Sequence, residues 1–211
     1  MARNGVDDDA LRATRRETVL RAARKVFEKN GLDGSSIRMI AKAAKCTTGA
    51  IYPYFKGKEE IYAEVLSRSL EDWRVHLVAD IETARTPEKR FEAALFSHFS
   101  WYADRPNDLS LALYLFNGLK PQGLTRELDM QLNNQLKSIL ALYNSLVREI
   151  AGCTERDAEI EVGTHFAMLF GLLTLYHTRR TRVFGIDARA ILDHFIAQSL
   201  QRLRQTRRRS A

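Results

Sequence analysis

Acidic residues are absent from Gly34 through Lys58, a stretch whose centre reads S-S-I-R-M-I-A-K-A-A-K-C-T-T-G-A-I-Y-P-Y-F. Its only charges are Arg38, Lys42, Lys45, Lys56 and Lys58. Such a segment has no internal counter-ion, so its field points outward toward an anion. Cysteine is also scarce. Cys46 and Cys153 lie far apart and outside any C-x-x-C pattern, which excludes a disulfide framework or a zinc ribbon and fits a reducing compartment. The longest apolar run, Phe166 to Tyr176, is well short of the roughly 20 residues a membrane span needs. The N-terminal M-A-R-N-G-V-D-D-D lacks an apolar h-region, so the expectation is a soluble, cytoplasmic protein without membrane contact. No G-x-S-x-G, Gly-rich phosphate loop or H-E-x-x-H occurs, and the five histidines are scattered singly. The expectation is therefore no catalytic residues, no metal and no cofactor.

What is present is helical periodicity. The chain has 211 residues, 45% hydrophobic, with only four prolines and a net charge of +7. Nothing alternates as a strand would, so an all-α fold of nine helices is expected. The first runs from about Asp9 to Asn30, with Val19, Leu20, Ala23 and Phe27 on one face and Gly31 as its C-terminal stop. Ser36 is placed to cap a short second helix, with Ile37, Ile40, Ala41 and Ala44 inward. Thr47 is placed to cap a third that ends near Phe55, where Pro53 shortens or kinks it. Longer helices follow at about 58–84, from Thr86-Pro87 to 104, 109–118, 124–151, 154–181 and 187–205. The expected division is a helix-turn-helix domain over 1–57 and a second helical domain over 58–211.

Two short helices joined by a tight turn, with a basic face of one sign, suit a phosphate backbone. The segments T-V-L-R-A-A-R-K-V-F-E-K-N-G, S-S-I-R-M-I-A-K-A-A, T-T-G-A-I-Y-P-Y-F and G-K-E-E-I-Y, over about 18–62, together resemble the N-terminal signature of the TetR family of bacterial transcriptional regulators. Two positions depart from that pattern: Lys45 stands where a turn glycine is usual, and Cys46 where valine is. Lys45 should therefore carry left-handed strain. The resemblance implies that the second helix of the motif enters the major groove, its first residues meeting base edges. Those residues are Thr47, Thr48, Gly49 and Ala50. It also implies Arg38 as a base reader beside the cap Ser36, with Tyr52, Tyr54 and Lys58 on phosphates. For Tyr52 a half-core role stays open, as does simple solvation for Arg38.

Beyond residue 62 the resemblance rests on helix number and length alone. It implies a small-molecule pocket and a homodimer formed through the last two helices. Trp73, His76, His98, Tyr102, Asn117, Tyr143 and His165 are the candidate ligand contacts, and such an aromatic set suits a largely apolar effector. A satisfied core histidine is the competing reading of His98. His165 with Glu161 forms either an ion pair or half of a carboxylate-bridged metal site. F-A-M-L-F-G-L-L-T-L-Y is apolar all round and needs cover on every side. Phe166, Phe170, Leu173, Leu192, Phe195 and Ser199 are accordingly the candidate dimer contacts. The arginine-rich end, Arg202 to Arg209, is either a solvated terminus or a nonspecific nucleic-acid contact. The leading expectation is a dimeric repressor that leaves a palindromic DNA operator when a small molecule binds. An effector-free architectural DNA-binding protein is the alternative, and an enzyme a weaker one.

Overall fold

The computed structural model describes residues 3–113 and 124–210, with side chains described for 9–113 and 124–208. The described chain is helical: α1 (Arg3–Asn30), α2 (Ile37–Ala43), α3 (Lys58–Glu82), α4 (Pro87–Asp104), α5 (Pro106–Ala112), α6 (Arg126–Ala151), α7 (Glu155–His177) and α8 (Ala188–Ser210). Short 3-10 turns cover Thr48–Ala50 and Arg180–Phe184. The start signals act as expected. Thr86 and Thr154 accept hydrogen bonds from Lys89 N and Asp157 N, and Pro87 opens α4. Gly31 takes φ +67, the left-handed conformation that closes α1.

The expected third helix is instead one 3-10 turn followed by irregular turns. Gly49 and Pro53 lie within it, and both weaken an α-helix. Thr47 has the extended backbone of a cap, yet its hydroxyl makes no capping bond. The sixth helix, expected at 109–118, begins three residues early at Pro106, and its later part lies outside the described residues.

Contacts divide the chain into two compact units: Met1–Ser69 with Asn107–Asn133, and Leu70–Pro106 with Asn134–Ala211. This division differs from a break at 57/58, because the first half of α3, all but the first residue of α5 and the start of α6 pack with the N-terminal helices.

In the first unit α1 packs on α2, and Val19, Leu20, Ala23 and Phe27 of α1 are buried, as are Ile40, Ala41, Ile51 and Phe55. Arg16 forks onto Glu64 of α3, and Arg68 bonds both Glu17 and Glu64. A buried carboxylate ties in α5. Asp108 is 4% exposed, and its Oδ1 accepts from Arg24 Nη2 at 2.6 Å and Ser69 Oγ at 2.8 Å. Tyr62 Oη donates to Leu111 O at 2.9 Å beside it. Removing one partner of such a buried charge costs about 3–5 kcal/mol, so α5 is firmly held.

The second unit is built on α4, which packs on both α7 and α8. Phe91, Ala94, Leu95, His98 and Tyr102 form its buried face. Between α7 and α8, Arg202 Nη2 lies 3.1 Å from Glu161, whose other neighbour, His165 Nε2, is at 3.4 Å. Proximity of His165 first, then Arg202, lowers the Glu161 carboxyl from its ordinary 4.5 to about 2. The folded form thus holds its proton less tightly than the unfolded chain. The contribution is complete above pH 4.5 and is lost as pH falls through about 2. Thermal unfolding of Glu161→Gln should therefore fall less steeply than wild type between about pH 5 and 2; identical acid limbs would show that this contact does not matter.

Candidate functional site

The helix-turn-helix presents its polar residues and withholds its apolar ones. Ser36 is the N-cap of α2, its hydroxyl accepting from Met39 N at 3.2 Å. Arg38, Lys42, Lys45, Thr47, Gly49, Ala50 and Tyr52 are exposed, while Thr48 and Tyr54 are half-buried. Tyr52, at 57% exposure, takes no part in the core, while its neighbour Ile51 is fully buried. The turn itself is a Schellman closure: Cys46 N donates to Ala41 O and Lys45 N to Lys42 O. That geometry requires a left-handed residue, and Lys45 supplies it at φ +55. A side chain there costs roughly 1–2 kcal/mol relative to glycine.

Lys58 is not on this open face. Its ammonium reaches back into the α1–α2 turn and donates to Leu32 O at 2.9 Å, Ser35 O at 3.1 Å and Asp33 O at 3.5 Å. An ammonium has three donors, and all three are engaged. The reading of Lys58 as a phosphate clamp is therefore replaced by one in which it pins the motif to the start of α3. Lys56, counted among the charges of the acid-free stretch but not among the candidate contacts, is exposed.

The candidate ligand residues fall into separate groups. Trp73, His98, Tyr102 and Tyr143 come together, all 2% exposed or less. The His98 ring has Trp73 at 4.8 Å, Phe166 at 5.2 Å, Tyr102 at 5.4 Å and Phe170 at 5.6 Å. Neither His98 nitrogen has a hydrogen-bond partner among the described residues, nor does the Trp73 indole. Burial in this apolar shell lowers the imidazole from 6.5 to about 3, so it is neutral at physiological pH. Tyr143 Oη donates to Ala94 O at 3.2 Å, and burial raises its phenol well above the ordinary 10.

His165 belongs elsewhere, between Phe91 and Phe195 and beside Glu161. His76 is half-exposed, stacked near Trp101 and 3.4 Å from Asp80, so it leaves the central set. Asn117 lies outside the described residues. No group of three or more metal-ligating side chains gathers among the described residues. A cleft of about 560 Å³ opens on another face of α4, lined by Phe96, Ser97, Phe99, Tyr176, Asp187 and Arg189 among others. No sequence motif pointed to it.

Residues 19–65 match the family profile described as bacterial regulatory proteins, tetR family. The fatty acid metabolism regulator protein of Bacillus subtilis is 28% identical over 155 residues, 74% of this chain and 77% of the relative. The HTH-type transcriptional regulator HbdR of Aromatoleum is 30% identical over 109 residues, 52% of this chain and 47% of that one. The crystal structure of FadR from Bacillus subtilis in complex with stearoyl-CoA superposes with TM-score 0.69 at 22% identity, covering 90% of this chain and 98% of that one. Residues 19–65 carry the N-terminal domain of the TetR family of transcriptional regulators.

The residues expected at a dimer seam need correction. Leu173, Leu192 and Ser199 are fully buried within the chain itself and have no surface to offer a partner. Phe166 and Phe170 are half-buried against His98, and Phe195 against His165. The face of α7 left open is Ile160, Gly163, Thr164, Ala167, Gly171 and Thr174. By length and composition α7 could cross a membrane, with 33% of its apolar window buried in the chain.

The Lys58 anchor generates a test. Hydrogen bonds to a charged group are worth about 1.5–3 kcal/mol, so Lys58→Ala should lower the melting temperature and weaken all DNA sequences alike. The slope of log affinity against log salt should stay unchanged, because no phosphate contact is removed. A slope reduced by about one unit per subunit at unchanged melting temperature would return Lys58 to the phosphate backbone.

Proposed function

We propose that this regulator is a dimeric repressor that occupies a palindromic DNA site and releases it when a long-chain acyl thioester enters the second unit. The single observation carrying the effector reading is His98: a buried imidazole without a partner, ringed by aromatics. An unpaired polar group in a dry core is costly unless something else completes it. A neutral imidazole favours an uncharged carbonyl, with the chain lying among the aromatic side chains; it offers no counter-charge to a free carboxylate. The likeness to a regulator of fatty acid metabolism, and to a fold solved with stearoyl-CoA, supports the same ligand class.

DNA contact rests on the acid-free face. Arg38 and Thr48 are the base readers, while Tyr52, Tyr54 and Lys56 supply phosphate contacts. Arg38→Ala should cost about 1–3 kcal/mol on the cognate site and relax preference at one base pair per half-site. Uniform weakening across site variants would move Arg38 to the backbone.

Effector and DNA are coupled through α3, one uninterrupted helix with residues in both units. A coupling of about 1–3 kcal/mol changes operator affinity 5- to 150-fold, and operator must weaken effector binding by the same factor. Thermal shift with stearoyl-CoA, stearate and coenzyme A supplies the test. At 100 times its dissociation constant a ligand adds about 2.7 kcal/mol. Stearoyl-CoA should stabilise the protein and release DNA, and His98→Phe should bind it about tenfold more weakly, as loss of one hydrogen bond to a buried group predicts. Equal response to stearate would overturn the role of His98; no response to any acyl compound would leave an effector-free DNA-binding protein.

A further inference from the structure

Helix α4 is used on two sides. Its inner face carries His98; Phe96 and Ser100, two residues before and after it, lie about 200° round the helix from that ring. They line the cleft of about 560 Å³, all of whose lining residues belong to the second unit. That volume falls in the range of small-molecule sites. The cleft is separate from the aromatic shell around His98, and its chemistry differs.

Carboxylates surround it. Asp80 comes from the end of α3, Asp104 from the end of α4 and Asp187 from the residue before α8. Asp80 has His76 at 3.4 Å, and Asp187 Oδ1 accepts from Arg189 N at 3.3 Å. Asp104 is exposed and has neither hydrogen bond nor ion pair among the described residues. Arg189, the single cation of the lining, is already committed. Its Nε lies 3.0 Å from Asp193, and its guanidinium covers the Phe96 ring at 3.9 Å. The field left in the cleft therefore favours a cation over an anion.

The walls are aromatic. Phe99 and Tyr176 meet edge to face at 5.6 Å, offering apolar surface and ring faces that attract positive charge. Ser97 is an independent sign of a ligand. It lines the cleft, is 1% exposed, and its hydroxyl has no hydrogen-bond partner among the described residues. A hydroxyl on a helix commonly turns back to the carbonyl four residues earlier, as those of Thr14, Thr164 and Thr174 do. Ser97 makes no such bond, and a buried hydroxyl left open costs free energy that a ligand's polar hydrogen would restore. Ser97 and Asp104 stand two turns apart, about 10.5 Å along α4. A ligand that reaches both is elongated, with a polar hydrogen at one end and an ammonium at the other.

We propose that this cleft is a second binding site, for an elongated aromatic amine. Its ammonium pairs with Asp104, its apolar body lies against Phe99 and Tyr176, and its far polar hydrogen is accepted by Ser97 Oγ. The site stands apart from the acyl thioester reading, because it uses the other side of α4 and a ligand of different charge.

Calorimetric titration of the full chain with tryptamine, its neutral analogue tryptophol and the anion indole-3-acetate decides the matter. Tryptamine should bind, less tightly as salt is raised, with tryptophol about tenfold weaker and indole-3-acetate not measurable. Asp104→Asn should bind tryptamine about fivefold more weakly, one exposed ion pair being lost. Ser97→Ala should keep its melting temperature, since nothing else in the chain uses that hydroxyl, yet bind about three- to tenfold more weakly. His98→Phe should bind tryptamine as wild type does. Tryptophol binding as tightly as tryptamine, or both cleft variants binding like wild type, overturns the amine site, as does the absence of tryptamine binding at millimolar concentration. Loss of tryptamine binding in His98→Phe would put the amine in the inner shell and overturn it equally. None of these outcomes bears on the response to stearoyl-CoA, which tests the first site alone.

Discussion

The helix-turn-helix has no acid of its own, so it cannot be fixed by ion pairs within it, and the Lys58 ammonium in the α1–α2 turn takes that place. By filling the carbonyls at Leu32 and Ser35, one cation both satisfies the turn and sets where α3 begins relative to α2. The exposed cations Arg38, Lys42, Lys45 and Lys56 are then free of internal duty. A second tier stiffens the arrangement: Arg16 and Arg68 bridge α1 to α3 through Glu17 and Glu64, and Arg24 with Ser69 holds Asp108. Glu17, Glu64 and Asp108 of this unit are thus each engaged by a cation of a neighbouring helix. The stretch from Gly34 to Lys58 itself carries charge of one sign only.

Much of the fold was legible because its signals are local. Thr86-Pro87, Thr154 and Gly31 act within one turn of themselves, and the sequence places them correctly. Lys45 was legible too, since a turn that wants glycine strains any other residue, and its φ is +55. What was not legible depends on partners distant in the chain. Lys58 reads as a free cation until Leu32 and Ser35, more than twenty residues upstream, are brought to it. Asp108 has no motif, because Arg24 and Ser69 reach it only through folding.

The dimer residues show a different limit. Periodicity reports that α7 is apolar all round, but it cannot say which side its own chain covers. Leu173, Leu192 and Ser199 were natural choices by size and spacing, yet they are the ones that α4, α7 and α8 bury among themselves. The side left open carries glycine, alanine and threonine, which hydrophobicity ranks low.

The unpaired polar groups follow the same logic of incompleteness. His98 and the Trp73 indole are buried with no hydrogen-bond partner among the described residues, and Ser97 Oγ, Trp101 Nε1 and both His165 nitrogens, all in the same unit, share that state. A neutral His98 is also an acid-side liability. The unfolded chain takes up a proton below about pH 6.5, while the folded imidazole resists it down to about 3, so folding stability declines as pH falls between those values. Phenylalanine would fill the same aromatic shell without that decline. If stability alone shaped the site, an apolar ring would serve better at position 98, and the effector reading proposed above takes its start from that cost.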